Sequence, residues 1–380
     1  MPALGGREWR YVKECLDTGW VSSVGPFVER FEREMAGYLG AKHAVAAVNG
    51  TEALHVALLA AGVAPEHEVL VSTLTFIAPA NAVRYVGAWP VFVDAEPVHW
   101  QMDADAVADL IASEYDTVGG ELRSKSTGRR LRALLPVHIL GHPVDMAPLL
   151  ALAREYDLIV VEDATESLGA EYKGAKVGRI GDIACLSFNG NKLITTGGGG
   201  MIVTDNDAWA ERVRYLTTQA KDDPIEYIHH EIGYNLRLTN IQAAMGVAQL
   251  ERIEAHVAAK RRIAAAYARQ LHGIPGLGLM PEADWAKSVF WMFTITVDEA
   301  DFGLSSRALM RKLRALGIET RPLWQPMHRS PAHTRTHAEN CPVADALYAN
   351  ALSLPCSVGM TTSQVERVAA CVRSFAGQPG

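Results

Sequence analysis

A single lysine closes the segment Ser187-Phe188-Asn189-Gly190-Asn191-Lys192, which follows the apolar run Ile183 to Phe188. A lysine at the packed end of a sheet loses its proton more easily through desolvation. That is what an amine needs before it can bond an aldehyde. Taken alone, the plainer reading is a surface lysine on a turn. Upstream, Leu158-Ile159-Val160-Val161 leads into Glu162-Asp163-Ala164-Thr165-Glu166, so a strand delivers carboxylates at its C-terminal end. Open α/β sheets place their ligands at that edge. Asp163 there could pair with a cationic ring nitrogen, cap a helix, or bind a metal. A metal is disfavoured, because no His or Cys cluster with ligand spacing is near it in sequence. His138 and His142 are four apart, but Gly141 and Pro143 argue against a helix between them, so both read as structural.

Asn49-Gly50-Thr51-Glu52-Ala53-Leu54 reads as a strand-to-helix junction. Free N–H groups and the helix dipole suit a phosphate there, Gly50 permits close approach, and the Thr51 hydroxyl adds a donor. Simple capping by Asn49 or Thr51 is the competing reading. Ser187 could reach the same phosphate if the strand ends converge. Phe76, just past Ser72-Thr73-Leu74, could stack on a planar ligand or simply pack in the core. The run Gly197-Gly198-Gly199-Gly200 is not a dinucleotide fingerprint, because a strand follows it. It is not a Walker loop either, since Lys192 precedes it. Together these residues form a phosphate cradle, a stacking aromatic, a carboxylate for a ring nitrogen and a lysine for an aldehyde. That is the inventory for holding pyridoxal 5'-phosphate.

The elements that must carry them alternate. Short apolar runs at Ala44–Val48, Val69–Ser72, Val91–Val93, Leu131–Val137, Leu158–Val161 and Ile183–Phe188 read as strands. Amphipathic helical stretches lie between them, which implies a mostly parallel sheet covered on both faces. Thr239 to His272 reads as one long Ala-rich helix or two in sequence. Beyond it, Val289 to Val297 reads as a strand and Gln364 to Phe375 as a helix. The pattern predicts an α/β chain with a large domain over 1–255 and a small α+β domain over 256–380. The polar stretch 119–130, with Arg-Ser-Lys-Ser-Thr-Gly-Arg-Arg, is a solvated loop or a basic lip for an anionic ligand.

Composition narrows the class. The 380 residues are 49% hydrophobic and 21% charged, with net charge −7, which is ordinary for a globular chain and offers nothing to nucleic acid. No apolar run is long enough for a transmembrane helix, and the first residues lack a signal-peptide pattern. Five scattered cysteines argue for reduced thiols and a cytoplasmic location.

The motifs at 49–54, 75–78, 161–170, 181–192, 195–200 and 233–244, with Arg-Pro-Leu-Trp-Gln-Pro-Met-His at 321–328, resemble one family in order along the chain. It is the DegT/DnrJ/EryC1/StrS family of nucleotide-sugar aminotransferases, fold type I pyridoxal-phosphate enzymes. The resemblance implies that Lys192 bonds the cofactor aldehyde, Asp163 keeps the ring nitrogen protonated and Phe76 stacks on the ring. Gly50, Thr51 and Ser187 would hold the phosphate. Glu166 stands near the ring hydroxyl, where many members carry His or Gln. Asn235 would reach the phosphate of a neighbouring subunit's cofactor, implying a homodimer with shared sites. His328 would line the sugar pocket, and Arg237 would meet the nucleotide phosphates. The implied donor is L-glutamate and the implied acceptor a nucleotide-linked 4-keto-6-deoxy sugar. The four-glycine run resembles members acting on a UDP-linked 2-acetamido sugar, whereas perosamine-type relatives usually carry Glu where Gly198 stands. GDP- and dTDP-linked keto sugars are the alternatives. Dehydration, seen in relatives with histidine in place of this lysine, is a further alternative, and a non-catalytic scaffold the remotest.

Overall fold

The structure is a computed structural model that describes residues 2–223, 225–334 and 340–377. A seven-stranded sheet organises the chain. From one edge to the other its strands are His43–Ala47, Gly200–Thr204, Ile183–Ser187, Ile159–Asp163, Leu131–Leu135, Glu68–Ser72 and Trp89–Val93. Gly200–Thr204 pairs antiparallel with both neighbours, and the remaining strands run one way. Four of the five inner strands are buried along their whole length, and in the fifth only Arg132 is partly exposed, as a sheet covered on both faces requires. One apolar core includes Phe31, Met35, Leu149, Leu186 and Val247, and a second includes Leu54, Leu58, Val83 and Val213. Because six strands share a direction, the residues after Ala47, Ser72, Leu135, Asp163 and Ser187 emerge at one edge.

Thr239 to His272 is two helices, Asn240–Leu250 and Ile253–Leu271. The second runs between cores. Ile253 and Val257 belong to the large core, while Ile263, Tyr267 and Leu271 pack under a second sheet. That sheet has the order Leu277–Leu279, Phe293–Val297, Ala351–Leu354, Arg321–Pro322.

Two expectations are corrected. The strand expected over Val289 to Val297 begins only at Phe293. Val289 N and Met292 N instead donate to the carbonyls of Gly141 (2.9 Å) and Leu140 (3.3 Å), drawing this segment to the large sheet. A Cβ on Gly141 would sit 2.5 Å from Trp291 N, so this contact requires glycine. The stretch 119–130 is not a basic lip. Tyr115–Val118 and Glu121–Ser124 form a hairpin at the start of the Glu68 strand, away from the edge carrying the site. Its arginines are engaged by acids: Arg123 and Arg130 share Glu121, and Arg129 pairs with Glu66. No helix among the described residues is long and apolar enough to cross a membrane.

One buried carboxylate ties the loop after Asp163 to the sheet. Glu162 is fully buried and accepts from the amides of Gly178, Ile180 (2.8 Å) and Gly181 (2.9 Å), and from His138 Nε2 (2.9 Å). His138 Nδ1 accepts from Val144 N, so the ring donates to Glu162 from its other nitrogen. Burial pushes the Glu162 carboxyl up, but these donors outweigh it and hold it below the usual range. A lowered carboxyl stabilises the fold above its unfolded pKa and loses that contribution as the pH falls. Glu162→Gln turns an amide N–H toward these donors. Denaturant unfolding at pH 7 should show a loss of about 2–4 kcal/mol, narrowing as the pH drops through the carboxylate range.

Candidate active site

The strand ends converge on a cavity of about 370 Å³, lined in part by Gly50, Thr51, Phe76, Asp163, Glu166, Ser187 and Lys192. One end is a phosphate cradle. Asn49 Oδ1 accepts from Glu52 N (2.8 Å) and caps the helix Gly50–Ala60, so the capping reading holds. The cap leaves the first amides of the helix for an anion. A Cβ on Gly50 would lie 2.8 Å from Ser187 Cβ and 3.1 Å from its Oγ. Glycine there lets the helix start and the serine hydroxyl address one small space. The glycine run serves the same approach. Gly200 lies in the strand against Asn49, where a Cβ would meet the Asn49 carbonyl at 2.4 Å.

The middle of the cavity is flat. Phe76 is 51% exposed, which removes the core-packing reading, and its ring meets Trp324 edge-on at 6.4 Å. Asp163 stands at the end of its strand and accepts from Thr165 N (3.0 Å). Burial pushes its carboxyl up, against the Thr165 bonds and the Lys192 charge. A cationic ring N–H beside it would favour the ionised form.

The far end holds Lys192 and Glu166. Lys192 Nζ lies 3.9 Å from Glu166 Oε1 and 4.1 Å from the centre of the Trp291 ring. Burial lowers the lysine pKa, opposed by Glu166 and Asp163. Burial raises Glu166 to about 7, opposed by Lys192 and by Leu140 N, which donates to Oε2 (2.8 Å). Burial thus weakens the charged form of both the amine and the carboxyl beside it. The donor set therefore fits pyridoxal phosphate. Gly50, Thr51 and Ser187 would hold its phosphate, Phe76 its ring face, Asp163 its nitrogen and Lys192 its aldehyde.

Three expected site residues are not in this lining. His328 bonds Thr73 Oγ1 through Nδ1 (2.8 Å) and pairs with Asp345 through Nε2 (3.3 Å), beside the loop that carries Phe76. Arg237 is half-buried and faces Glu32, with its Nε unpartnered among the described residues. Asn235 is exposed, in a bridge with Thr218. Conversely, sequence reasoning misses Trp291 and Trp324 as site residues. They stack at 6.1 Å and 8°, and Trp291 Nε1 donates to the Asn191 carbonyl (2.8 Å). Trp324 stands in plain view in the 321–328 motif. Trp291 is concealed inside an apparent strand.

A model described as the DegT/DnrJ/EryC1/StrS aminotransferase family matches residues 2–373. GDP-perosamine synthase from Caulobacter vibrioides is 43% identical, over 98% of this chain and 96% of that protein. GDP-perosamine synthase from Escherichia coli O157:H7 is 36% identical, over 98% and 97%. The crystal structure of S. venezuelae DesV in complex with a ketimine intermediate superposes with a TM-score of 0.88 at 33% identity, covering 98% of this chain and 95% of that one.

The raised Glu166 carboxyl has a measurable consequence. A carboxyl whose folded pKa lies above its unfolded value favours the fold at low pH and loses that contribution as the pH rises through about 7. In the cofactor-free protein, Glu166→Gln should flatten the decline of unfolding free energy between about pH 5 and 8. Denaturant melts at stepped pH read this directly. Gly50→Ala should push the helix start and Ser187 apart and raise the cofactor dissociation constant roughly tenfold or more, measured by loss of visible absorbance on dilution.

Proposed function

The chain belongs to the DegT/DnrJ/EryC1/StrS aminotransferase family, and from that premise we propose that it moves the amino group of L-glutamate to C4 of a GDP-linked 4-keto-6-deoxy sugar. The observation that carries the transaminase reading is Lys192 buried beside Glu166, in one cavity with Asp163 and the Gly50–Ser187 cradle.

Pyridoxal 5'-phosphate, when bound, supplies a conjugated ring that accepts the electron pair released at the donor's α-carbon. The protein's residues do the rest. Asp163 holds a proton on the ring nitrogen and keeps that sink cationic. Lys192 Nζ takes the proton from the donor α-carbon and, in the second half-reaction, returns one to C4 of the sugar. Its lowered pKa leaves a larger share of neutral amine for this work. Glu166 holds or releases a proton beside it. Trp291 and Trp324 wall the lysine from bulk water.

The guanosine nucleotide is favoured by the relatives named GDP-perosamine synthase, which match nearly the whole chain. The four-glycine run alone points to a UDP-linked 2-acetamido sugar, but it rests on one position, Gly198. Whole-chain likeness outweighs it. The intact lysine favours transamination over dehydration.

We also propose a homodimer working in the cytoplasm. Trp9, Ile225 and Ile232 are 77%, 82% and 83% exposed. Large apolar side chains so exposed suit a partner surface, and the exposed Asn235 lies three residues beyond Ile232. The five cysteines are free thiols.

The decisive experiment is a panel of GDP-, UDP- and dTDP-linked 4-keto sugars with L-glutamate, followed by product mass. Replacement of the ketone oxygen by an amino group and a hydrogen, fastest with the GDP sugar, is expected. Equal rates across nucleotides, or loss of water in place of amination, would overturn the proposal. Lys192→Ala should lose at least a thousandfold in turnover while still binding cofactor non-covalently.

A further inference from the structure

The loop that carries Lys192 leaves the large sheet after Ser187 and rejoins it at Gly200. Backbone bonds clamp its ends, from Phe188 N to the Gly199 carbonyl (2.8 Å) and from Thr196 N to the Phe188 carbonyl (3.0 Å). Between the clamps, side chains from other elements hold its backbone at three points. Trp291 Nε1 donates to the Asn191 carbonyl (2.8 Å), Gln242 Nε2 donates to the Gly198 carbonyl (2.9 Å), and Gln249 Oε1 accepts from Thr195 N (3.3 Å). Both glutamines belong to the helix Asn240–Leu250, and seven positions apart they share one of its faces. The Thr195 hydroxyl donates to the Phe188 carbonyl (3.0 Å) and accepts from Gly197 N (2.9 Å). Thr195 thus ties both arms of the loop, and its amide hands that tie to Gln249.

Gln249 is 1% exposed, and its partners fix which way its amide points. Nε2 donates to Glu8 Oε1 (2.6 Å) and to the Ala3 carbonyl (2.9 Å). Burial pushes the Glu8 carboxyl up. Its own amide, Gln249, and Gly6 N, which donates to Oε2 (2.8 Å), outweigh burial and hold the carboxyl below the usual range. An ionised carboxyl and a carbonyl can only accept. Turned the other way, the Gln249 amide would set its oxygen against that carboxylate and its N–H against the Thr195 N–H. The segment ahead of the first helix therefore dictates that Gln249 presents its oxygen to the lysine loop. The same segment borders the lysine directly: Pro2 and Ala3 line one cavity with Gly190, Asn191, Lys192 and Leu193.

We infer that Gln249 is a positioning residue for Lys192, and that through it the segment 3–8 sets where the lysine amine stands. The inference rests on the transaminase reading above, which gives Lys192 its task, and it adds a residue outside the cavity wall. Lys192 Nζ stands 3.9 Å from Glu166 Oε1 and 4.1 Å from the centre of the Trp291 ring, so a shifted loop changes both neighbours at once. A misplacement of about 1 Å at such a group costs on the order of a hundredfold in rate.

The test exchanges an acid and an amide across one contact. Gln249→Glu sets a second carboxyl against Glu8 and removes the N–H groups that fixed the orientation. Adding Glu8→Gln restores one amide and one carboxylate in exchanged places, and an oxygen still faces Thr195 N. Hydrogen exchange of residues 189–199 is measured in the cofactor-free protein, which reads the loop without turnover. In the holoenzyme, the pH midpoint of the visible band reads the setting of the Lys192 nitrogen bonded to the cofactor. L-Glutamate titration then separates the rate of band loss from the concentration that gives half-conversion.

Gln249→Glu is expected to speed exchange in 189–199 roughly tenfold and to move the band midpoint by about half a pH unit or more. It should slow the glutamate half-reaction roughly tenfold while the half-conversion concentration stays within about twofold. The double variant should return every readout to within about threefold of the parent. A Gln249→Glu protein that melts lower yet keeps the parent's exchange, midpoint and rate would overturn the inference, because Gln249 would then support the fold alone. So would a double variant that restores nothing. If Gln249→Glu does not fold, Glu8→Ala decides by the same readouts, since it leaves the helix of Gln249 untouched, and parent-like values there overturn the inference. A parent enzyme that ignores glutamate defeats the proposed function, whereas loop exchange and the band midpoint still decide the role of Gln249.

Discussion

Three ionisable groups, Asp163, Glu166 and Lys192, line one cavity, and burial acts against the charged form of each. Burial pushes both carboxyls up and the amine down, while each carboxylate pulls the amine the other way. The balance leaves Glu166, raised to about 7, able to change protonation near neutrality beside the lysine. The rest of the structure keeps water from dissolving this balance. Trp291 and Trp324 cover the lysine, and the Glu162–His138 lock holds the strand end from which Asp163 and Glu166 project.

The sheet makes the convergence possible. Parallel strands joined by helical crossovers bring residues far apart in sequence to a single edge. Gly50 and Ser187 are 137 positions apart, yet a single methyl group on Gly50 would press on the serine. This part of the site was legible in the sequence for a physical reason. Strand ends announce themselves by an apolar run giving way to polar or glycine residues. Asn49-Gly50-Thr51, Thr75-Phe76, Asp163 and Ser187 all stand at such transitions, and each lies in the cavity wall.

What stayed hidden depends on tertiary contacts that no local pattern encodes. Val289 to Met292 has the composition of a strand, but its amides go to the carbonyls of Leu140 and Gly141 instead of to the small sheet. The tryptophan it carries is thereby turned onto the lysine loop. The basic run at 123–130 misleads in the opposite sense. Charge in sequence says nothing of partners, and here Glu66 and Glu121 engage the arginines at the far end of the sheet. Asn235, Arg237 and His328 come from family resemblance, and within one chain they lie outside the cofactor cavity.

Trp291 shows why these tertiary contacts matter for chemistry and not only for packing. Leu140 supplies the amide that bonds Glu166 and also the carbonyl that receives Met292 N. A shift of the 289–292 segment would therefore move the lysine's aromatic wall and disturb the carboxyl beside it in the same motion. Because close-packed interiors transmit such displacements rather than absorb them, the proton balance at Lys192 is a property of the join between the two sheets. Neither sheet alone contains it: the large one brings the carboxylates and the amine, and the segment leading into the small one brings the ring that keeps them dry.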